Sequence, residues 1–431
     1  MLKVRSALLI LVAFSLAISG LSCNGNNGTP PNILLISVDT LRPDRLGYAG
    51  HDRNTSPNID VLAREGVVFP NAYSVSGWTL PSMATILTGL YPKDHGARDL
   101  HWGLNETVPT LASILQEHGF ESRGYVSHIV LTPEYGFGKG FTELDHSVLE
   151  DGDPHEMATS EELTNLALQG LGVIKEPFFV WVHYFDPHFD YLRHDRWSSF
   201  GTSDIDRYDQ EIAFTDHHIG RLLEFLRQKG LYDNTIIIFT SDHGEEFGDH
   251  GGKYHYTCYD EVLRVPLIIK APALPPGQNE EIAEQIDFVP SILARLQIES
   301  PPNLPGRNLF IDEPDPRPTF IARDRPPGYQ QLAVIDDGYK FLRIVVADTT
   351  AIPEKSRGTY VDVTNVVPGT YLYNLAADPR EKRNLFDGWG GETQKLMTML
   401  TAHFTGNALP AERIQLDEET KEKLRSLGYI Q

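Results

Sequence analysis

Three nearly unbroken apolar runs stand out along the chain, and each ends in a residue that can bind a metal or move a proton. Asn32-Ile33-Leu34-Leu35-Ile36-Ser37-Val38 stops at Asp39. Phe178-Phe179-Val180-Trp181-Val182 runs into His183 and then Asp186-Pro187-His188. Thr235-Ile236-Ile237-Ile238-Phe239-Thr240 runs into Ser241-Asp242-His243-Gly244. Continuous apolar runs of this length predict strands of a parallel sheet buried on both faces, since a sheet with one wet face would alternate. Helical spacing at Leu111 to His118 and Ile212 to Lys229 falls between them. The pattern predicts an α/β fold: a large, mostly parallel sheet covered by helices on both faces. Ligands of such sheets gather beyond the carboxyl ends of the strands. Asp39, His183, His188, Asp242 and His243 should therefore converge.

From Pro301-Pro302 to Pro327 the chain turns proline-rich, and hairpin-like pieces follow at Leu332 to Ile335, Tyr339 to Arg343 and Thr370 to Tyr373. These predict a smaller C-terminal antiparallel sheet, with a last helix at Glu418 to Leu427. The expected organisation is a signal peptide at 1–22, a linker at 23–31, a catalytic α/β domain at 32–325 and a C-terminal subdomain at 326–431. Lys3 and Arg5 before the apolar stretch Ala7 to Ile18 form a secretory signal. Leu21-Ser22-Cys23 is similar to a bacterial lipoprotein cleavage site, although Gly20 stands where leucine is usual. Export and a membrane anchor through a lipid on Cys23 are expected, with a periplasmic or cell-surface location.

With 431 residues and 41% hydrophobic content, the chain can bury a sizeable core. Its 59 acidic residues against 37 basic ones give a net charge of −22, which argues against nucleic-acid partners. An acidic protein handling an anionic ester needs a local cation. Without Cys23, only Cys258 remains, so no intramolecular disulfide is available, and this thiol reads as buried and inert.

Gly77-Trp78-Thr79-Leu80-Pro81 reads as a sharp loop that opens a helix. Thr79 is either a capping residue or a nucleophile facing free N–H groups and the positive end of the helix dipole. Asp39, Asp242 and His243 supply oxygen and nitrogen donors, and an ionised Thr79 could complete the shell of one divalent cation. Mixed donors suit Mn²⁺ or Zn²⁺ better than Ca²⁺ or Mg²⁺.

Four stretches carry a resemblance to the sulfatases of the alkaline phosphatase superfamily: Val38 to Asp44 with Leu46-Gly47-Tyr48, Thr79 to Gly96, Thr240 to Gly251, and Tyr371 to Leu375 with Asp378-Pro379 and Asn384-Leu385. The resemblance implies a metal at Asp39, Asp242 and His243, with Thr40 as a weaker ligand or none, and a nucleophile at Thr79. It further implies that Lys93 and His95 support the nucleophile, that His188 faces the leaving group, and that His255, or alternatively Lys253, binds the ester oxygens. The expected substrate is a sulfated or phosphorylated sugar, lipid or metabolite.

Two departures bear on the chemistry. Sulfatases make a formylglycine from Cys or Ser in a Cys-x-Pro-x-Arg motif, whereas this chain has Thr79 and Met83. A threonine ester must be hydrolysed by a second in-line attack, the phosphatase-like route. Rival readings are a sulfo- or phospho-glycan binder without catalysis, and a transferase of phosphoryl groups. Among lesser candidates, His183 reads as a hydrogen-bonded strand residue and His217 and His218 as packing or surface residues. Asp186 and Asp190, with His188 and His255, could hold a second metal.

Overall fold

The computed structural model describes residues 29–426, apart from 151, 153, 196, 198, 312–315, 324–328, 347–366, 406–411, 415 and 417. The expected signal peptide and Cys23 lie outside the described residues. Among the described residues, no helix is long and apolar enough to cross a membrane.

The apolar runs form adjacent strands, as their burial requires. The main sheet is built from β1 (Asn32–Val38), β2 (Glu121–Val126), β3 (Phe178–Tyr184), β4 (Thr235–Ser241) and β5 (Leu267–Lys270). Its spatial order is β5-β4-β1-β3-β2, with Val67–Val68 and Gly277–Gln278 beyond β5 and Glu143–Asp145 beyond β2. The four strands from β4 to β2 are parallel, and β5 runs antiparallel to β4. Register aligns Ser37 with both His183 and Thr240, and Val126 with His183, so the four carboxyl ends finish level.

Alternate residues of each strand face opposite layers. Ile33, Leu35, Phe179, Trp181, Ile236 and Ile238 pack in one core, whereas Leu34, Ile36, Val180, Val182, Ile237 and Phe239 pack in the other. The first core receives α1 (Thr79–Thr88), whose ten residues are all buried. The second receives α2 (Ser160–Leu171) and α3 (Asp204–Gln228). Helix α3 starts eight residues earlier than the hydrophobic spacing predicts, because Ser203 and Asp206 form a capping box ahead of the apolar stripe.

The second, antiparallel sheet comprises β6 (Thr319–Arg323), β7 (Tyr329–Asp336), β8 (Tyr339–Val346) and β9 (Gly369–Asn374), paired in chain order. Its first strand lies upstream of the expected boundary at 325/326, within the proline-rich stretch. Helix α4 (Gly391–Phe404) covers one face through Leu396 and Leu400. The other face packs Ile321, Ile335 and Leu342 against Tyr73, Tyr259 and Leu263. The last helix, α5 (Glu418–Ser426), does not belong to this sheet. Leu416 and Leu424 join the main core instead, and Glu412–Arg413 pairs with Trp102–Gly103.

Lys340 on β8 is fully buried and reaches Glu381 (2.7 Å) and Asp260 (3.1 Å). Against burial, these two carboxylates hold its pKa above the usual value. Replacing it strands both acids in a low-dielectric interior. Lys340→Met is therefore expected to destabilise the protein by about 3–5 kcal/mol, read from denaturant midpoints; a loss below about 1 kcal/mol would show that the pair is not a structural anchor.

Candidate active site

Asp39 follows β1 directly, and its N–H extends the ladder to the Tyr184 carbonyl (2.8 Å). The chain then turns sharply, because Thr40 adopts a left-handed conformation with φ of 53°. This turn aims the Thr40 N–H at Asp242 Oδ1 (3.1 Å), while its hydroxyl donates to the Pro187 carbonyl (3.0 Å). Thr40 thus serves the site through its backbone, with its hydroxyl directed elsewhere. Asp242 and His243 follow β4, and His243 donates from Nδ1 to the Gly244 carbonyl (2.9 Å). That bond leaves Nε2 as a lone pair, 3.4 Å from Asp242 Oδ2 and 3.9 Å from Asp39 Oδ1.

Thr79 is the first residue of α1, and Trp78 occupies the cap position. Its hydroxyl is therefore free of capping duty. It lies 3.4 Å from Asp39 Oδ2 and 3.3 Å from His243 Nε2. Gln285, fully buried, ties the two halves together. Its Oε1 accepts from Ser74 Oγ (3.0 Å) and Val75 N–H (3.3 Å) in the loop that leads to Thr79, while its Nε2 donates to the Asp242 carbonyl (2.6 Å) and the Ser241 carbonyl (3.2 Å).

Asp39, Asp242 and His243 bring one potential ligand atom each within 4.8 Å of one another. Asp39 Oδ1 and Asp242 Oδ2 are buried without a hydrogen-bond partner. Burial, together with the Asp242 and Glu245 carboxylates, pushes Asp39 well above the usual carboxylate range. Orphaned acid oxygens gathered around an imidazole lone pair are a donor set that fits a divalent cation.

Histidines surround this group. His183 on β3 approaches Asp39 Oδ2 with Nε2 (3.3 Å). Trp181 Nε1 donates to Ser37 Oγ (3.0 Å), and Ser37 donates to His183 Nδ1 (2.9 Å), so His183 presents Nε2–H to the carboxylate. His128 accepts at Nδ1 from the Val130 N–H (3.1 Å), which puts its proton on Nε2, 3.7 Å from Asp39 Oδ2. His188 donates from Nδ1 to the Phe189 carbonyl (2.7 Å), leaving Nε2 as a lone pair. His255 has Nδ1 3.4 Å from Glu245 Oε1, and its ring centre lies 4.5 Å from that of His243 and 5.2 Å from that of His188. Burial pushes His183 down to about 4 and, with repulsion from neighbouring imidazoles, takes His128, His188 and His255 well below their usual value.

His95 is buried, with Nε2 3.1 Å from Thr85 Oγ1 and a hydrogen bond to the backbone of Pro81, two residues after Thr79. Other expected residues lie elsewhere. Lys93 pairs with Asp94 (2.9 Å) and lines a separate cavity with Tyr91, Arg317, Phe320 and His403. Lys253 is exposed and faces Asp204 (4.0 Å). Asp186 caps α2 through Thr159 and Ser160, while Asp190 is exposed, so these acids are not gathered with His188 and His255. His218 accepts from Arg221 (2.9 Å), and His217 packs on Trp197. Cys258 is buried and not part of a disulfide.

A family model described as Sulfatase matches residues 31–298. The chain is 26% identical to "Uncharacterized sulfatase YidJ" of Escherichia coli (strain K12) over 430 residues, covering 83% of each. It is 24% identical to "N-acetylgalactosamine-6-O-sulfatase" of Bacteroides thetaiotaomicron over 478 residues, covering 84% of this chain and 91% of that protein. Among solved structures, the phosphonate monoester hydrolase of Agrobacterium radiobacter superposes with a TM-score of 0.70 at 21% identity, covering 90% of this chain and 98% of that one. With a match across more than half of its length and relatives aligned along most of it, the chain belongs to the sulfatase family of ester-cleaving enzymes.

Proposed function

We propose that this enzyme cleaves sulfuric or phosphoric esters by two in-line displacements, with Thr79 as the nucleophile. The observation that carries this reading is the Thr79 hydroxyl, released from capping and lodged between Asp39 and His243. A divalent cation held by Asp39, Asp242 and His243, with Mn²⁺ or Zn²⁺ best matched to the donors, would favour the ionised hydroxyl and offset charge on the ester oxygens. His183 and His128, with their Nε2–H groups toward Asp39, hold that carboxylate in its ligating orientation. In the first step Thr79 Oγ1 bonds to sulfur or phosphorus, the bond to the alcohol oxygen breaks, and the alcohol leaves with the proton Thr79 gave up. Water then attacks the threonine ester and the bond to Oγ1 breaks. The lone pair of His188 Nε2 takes the proton from water, which returns to Thr79.

Sugar sulfates are the first substrate class to try, given the named activity of the Bacteroides relative. A second reading, phosphate or phosphonate monoesters, is favoured by one observation: Thr79 cannot mature to the aldehyde, so the intermediate is an ordinary ester. The N-terminal pattern supports export with Cys23 as lipid acceptor.

Thr79→Ala should abolish turnover of aryl sulfates and phosphates while metal content measured by mass spectrometry stays at the wild-type level; an active variant would remove Thr79 from its role. Asp242→Asn, or chelation of the native enzyme, should strip both metal and activity, and Mn²⁺ or Zn²⁺ should restore the chelated enzyme but not the variant. His188→Ala should lower kcat by roughly 10²–10⁴, with the sulfated or phosphorylated Thr79 peptide accumulating in intact-mass spectra. Retention of full kcat in that variant would place the proton carrier elsewhere.

A further inference from the structure

The small sheet touches the nucleophile loop through the end of β6. The Ala322 N–H donates to the Val75 carbonyl (3.0 Å), and Arg323 donates through Nη1 to the carbonyl of Gly77, two residues before Thr79. Arg323 is only 2% exposed. Its guanidinium lies 5.1 Å from the ring centre of Tyr256, the neighbour of His255. Gln331, opposite Arg323 in the register, donates to the Tyr256 carbonyl (2.7 Å) and accepts from the Cys258 N–H (2.9 Å). Arg323 thus ends a strand that is fastened to both loops flanking the site.

The loop has little slack at this point. A Cβ on Gly77 would meet the Thr257 carbonyl and Val262 Cγ1 at 3.0 Å each, and Arg323 Nη1 at 3.4 Å. Close packing on one side and a charged donor on the other therefore set the direction of the Gly77 carbonyl. The charge also reaches the site, since after burial and the neighbouring imidazoles Arg323 helps to push His255 down. Helix α1 supplies no such cation where the sulfatase motif has its arginine: Met83 stands there, fully buried among apolar side chains.

We propose that Arg323 is a positioning residue for Thr79, in which the C-terminal sheet supplies the guanidinium that the nucleophile helix lacks. By fixing the Gly77 carbonyl it fixes the peptide path through Trp78, and with it the aim of the Thr79 hydroxyl between Asp39 and His243. The catalytic consequence rests on Thr79 being the nucleophile; the structural consequence does not. Misplacing an attacking atom by about 1 Å costs on the order of a hundredfold in rate, so a loosened loop should be visible in turnover.

The test compares Arg323→Gln and Arg323→Lys with the wild type in the full-length, metal-loaded protein. Hydrogen exchange of residues 75–80 is followed beside that of residues 331–336 and 339–345, together with kcat and KM for an aryl sulfate and an aryl phosphate. Arg323→Gln should speed exchange in 75–80 alone, lower kcat by about 10- to 100-fold and leave KM within about twofold, and Arg323→Lys should recover part of each. Unchanged exchange at 75–80, or equal loosening of the small sheet, overturns the proposal, as does a raised KM with kcat intact. Should the wild type turn over neither ester and carry no group on Thr79, the nucleophile reading fails, and exchange at 75–80 alone decides for or against Arg323. If Arg323→Gln does not fold, the same readings on Arg323→Lys decide, with intermediate loosening of 75–80 expected and wild-type exchange refuting.

Discussion

Two buried carboxylates that repel each other are the constraint around which the rest of this molecule is arranged. Asp39 and Asp242 sit fully buried at the ends of neighbouring parallel strands, and Glu245 adds a third buried carboxyl group nearby. Such an assembly is costly unless a cation or protons neutralise it. The surrounding groups answer that cost in an ordered way. Thr40 and His243 direct N–H groups at Asp242 Oδ1, while His183 and His128 direct theirs at Asp39 Oδ2. One oxygen of each acid stays open.

Neutral imidazoles suit such a pocket better than fixed charges would. Burial keeps His128, His183, His188 and His255 uncharged, so each nitrogen's role follows from the bond made by its ring partner. The Val130 N–H makes His128 a donor, and the Phe189 carbonyl makes His188 an acceptor toward a ligand. Backbone geometry, rather than solution acidity, assigns these roles.

How much of this was legible in the sequence depends on how locally each feature is encoded. Apolar runs ending in Asp39, His183 and Asp242-His243 announce the sheet and the gathered acids, because a strand buried on both faces writes its own pattern. Strand β2 does not, since Glu121-Ser122-Arg123-Gly124 lacks an apolar run; a Cβ on Gly124 would come within 2.4 Å of Leu144 Cδ1. His128 was missed with it. Gln285 and Arg323 act only across long stretches of chain, and nothing adjacent to them marks their role. Lys93 and His95 both follow Thr79 closely in sequence, yet Lys93 turns to Asp94 and a separate cavity, while His95 packs back along α1 against Thr85 and the Pro81 backbone.

The burial of α1 limits what can replace Met83. That residue lies with Leu80, Ile86 and Leu87 in the main core, so an arginine there would bring an unneutralised charge into close-packed hydrocarbon. Installing an aldehyde-forming motif in this chain would therefore call for repacking the layer beneath the helix as well as changing Thr79.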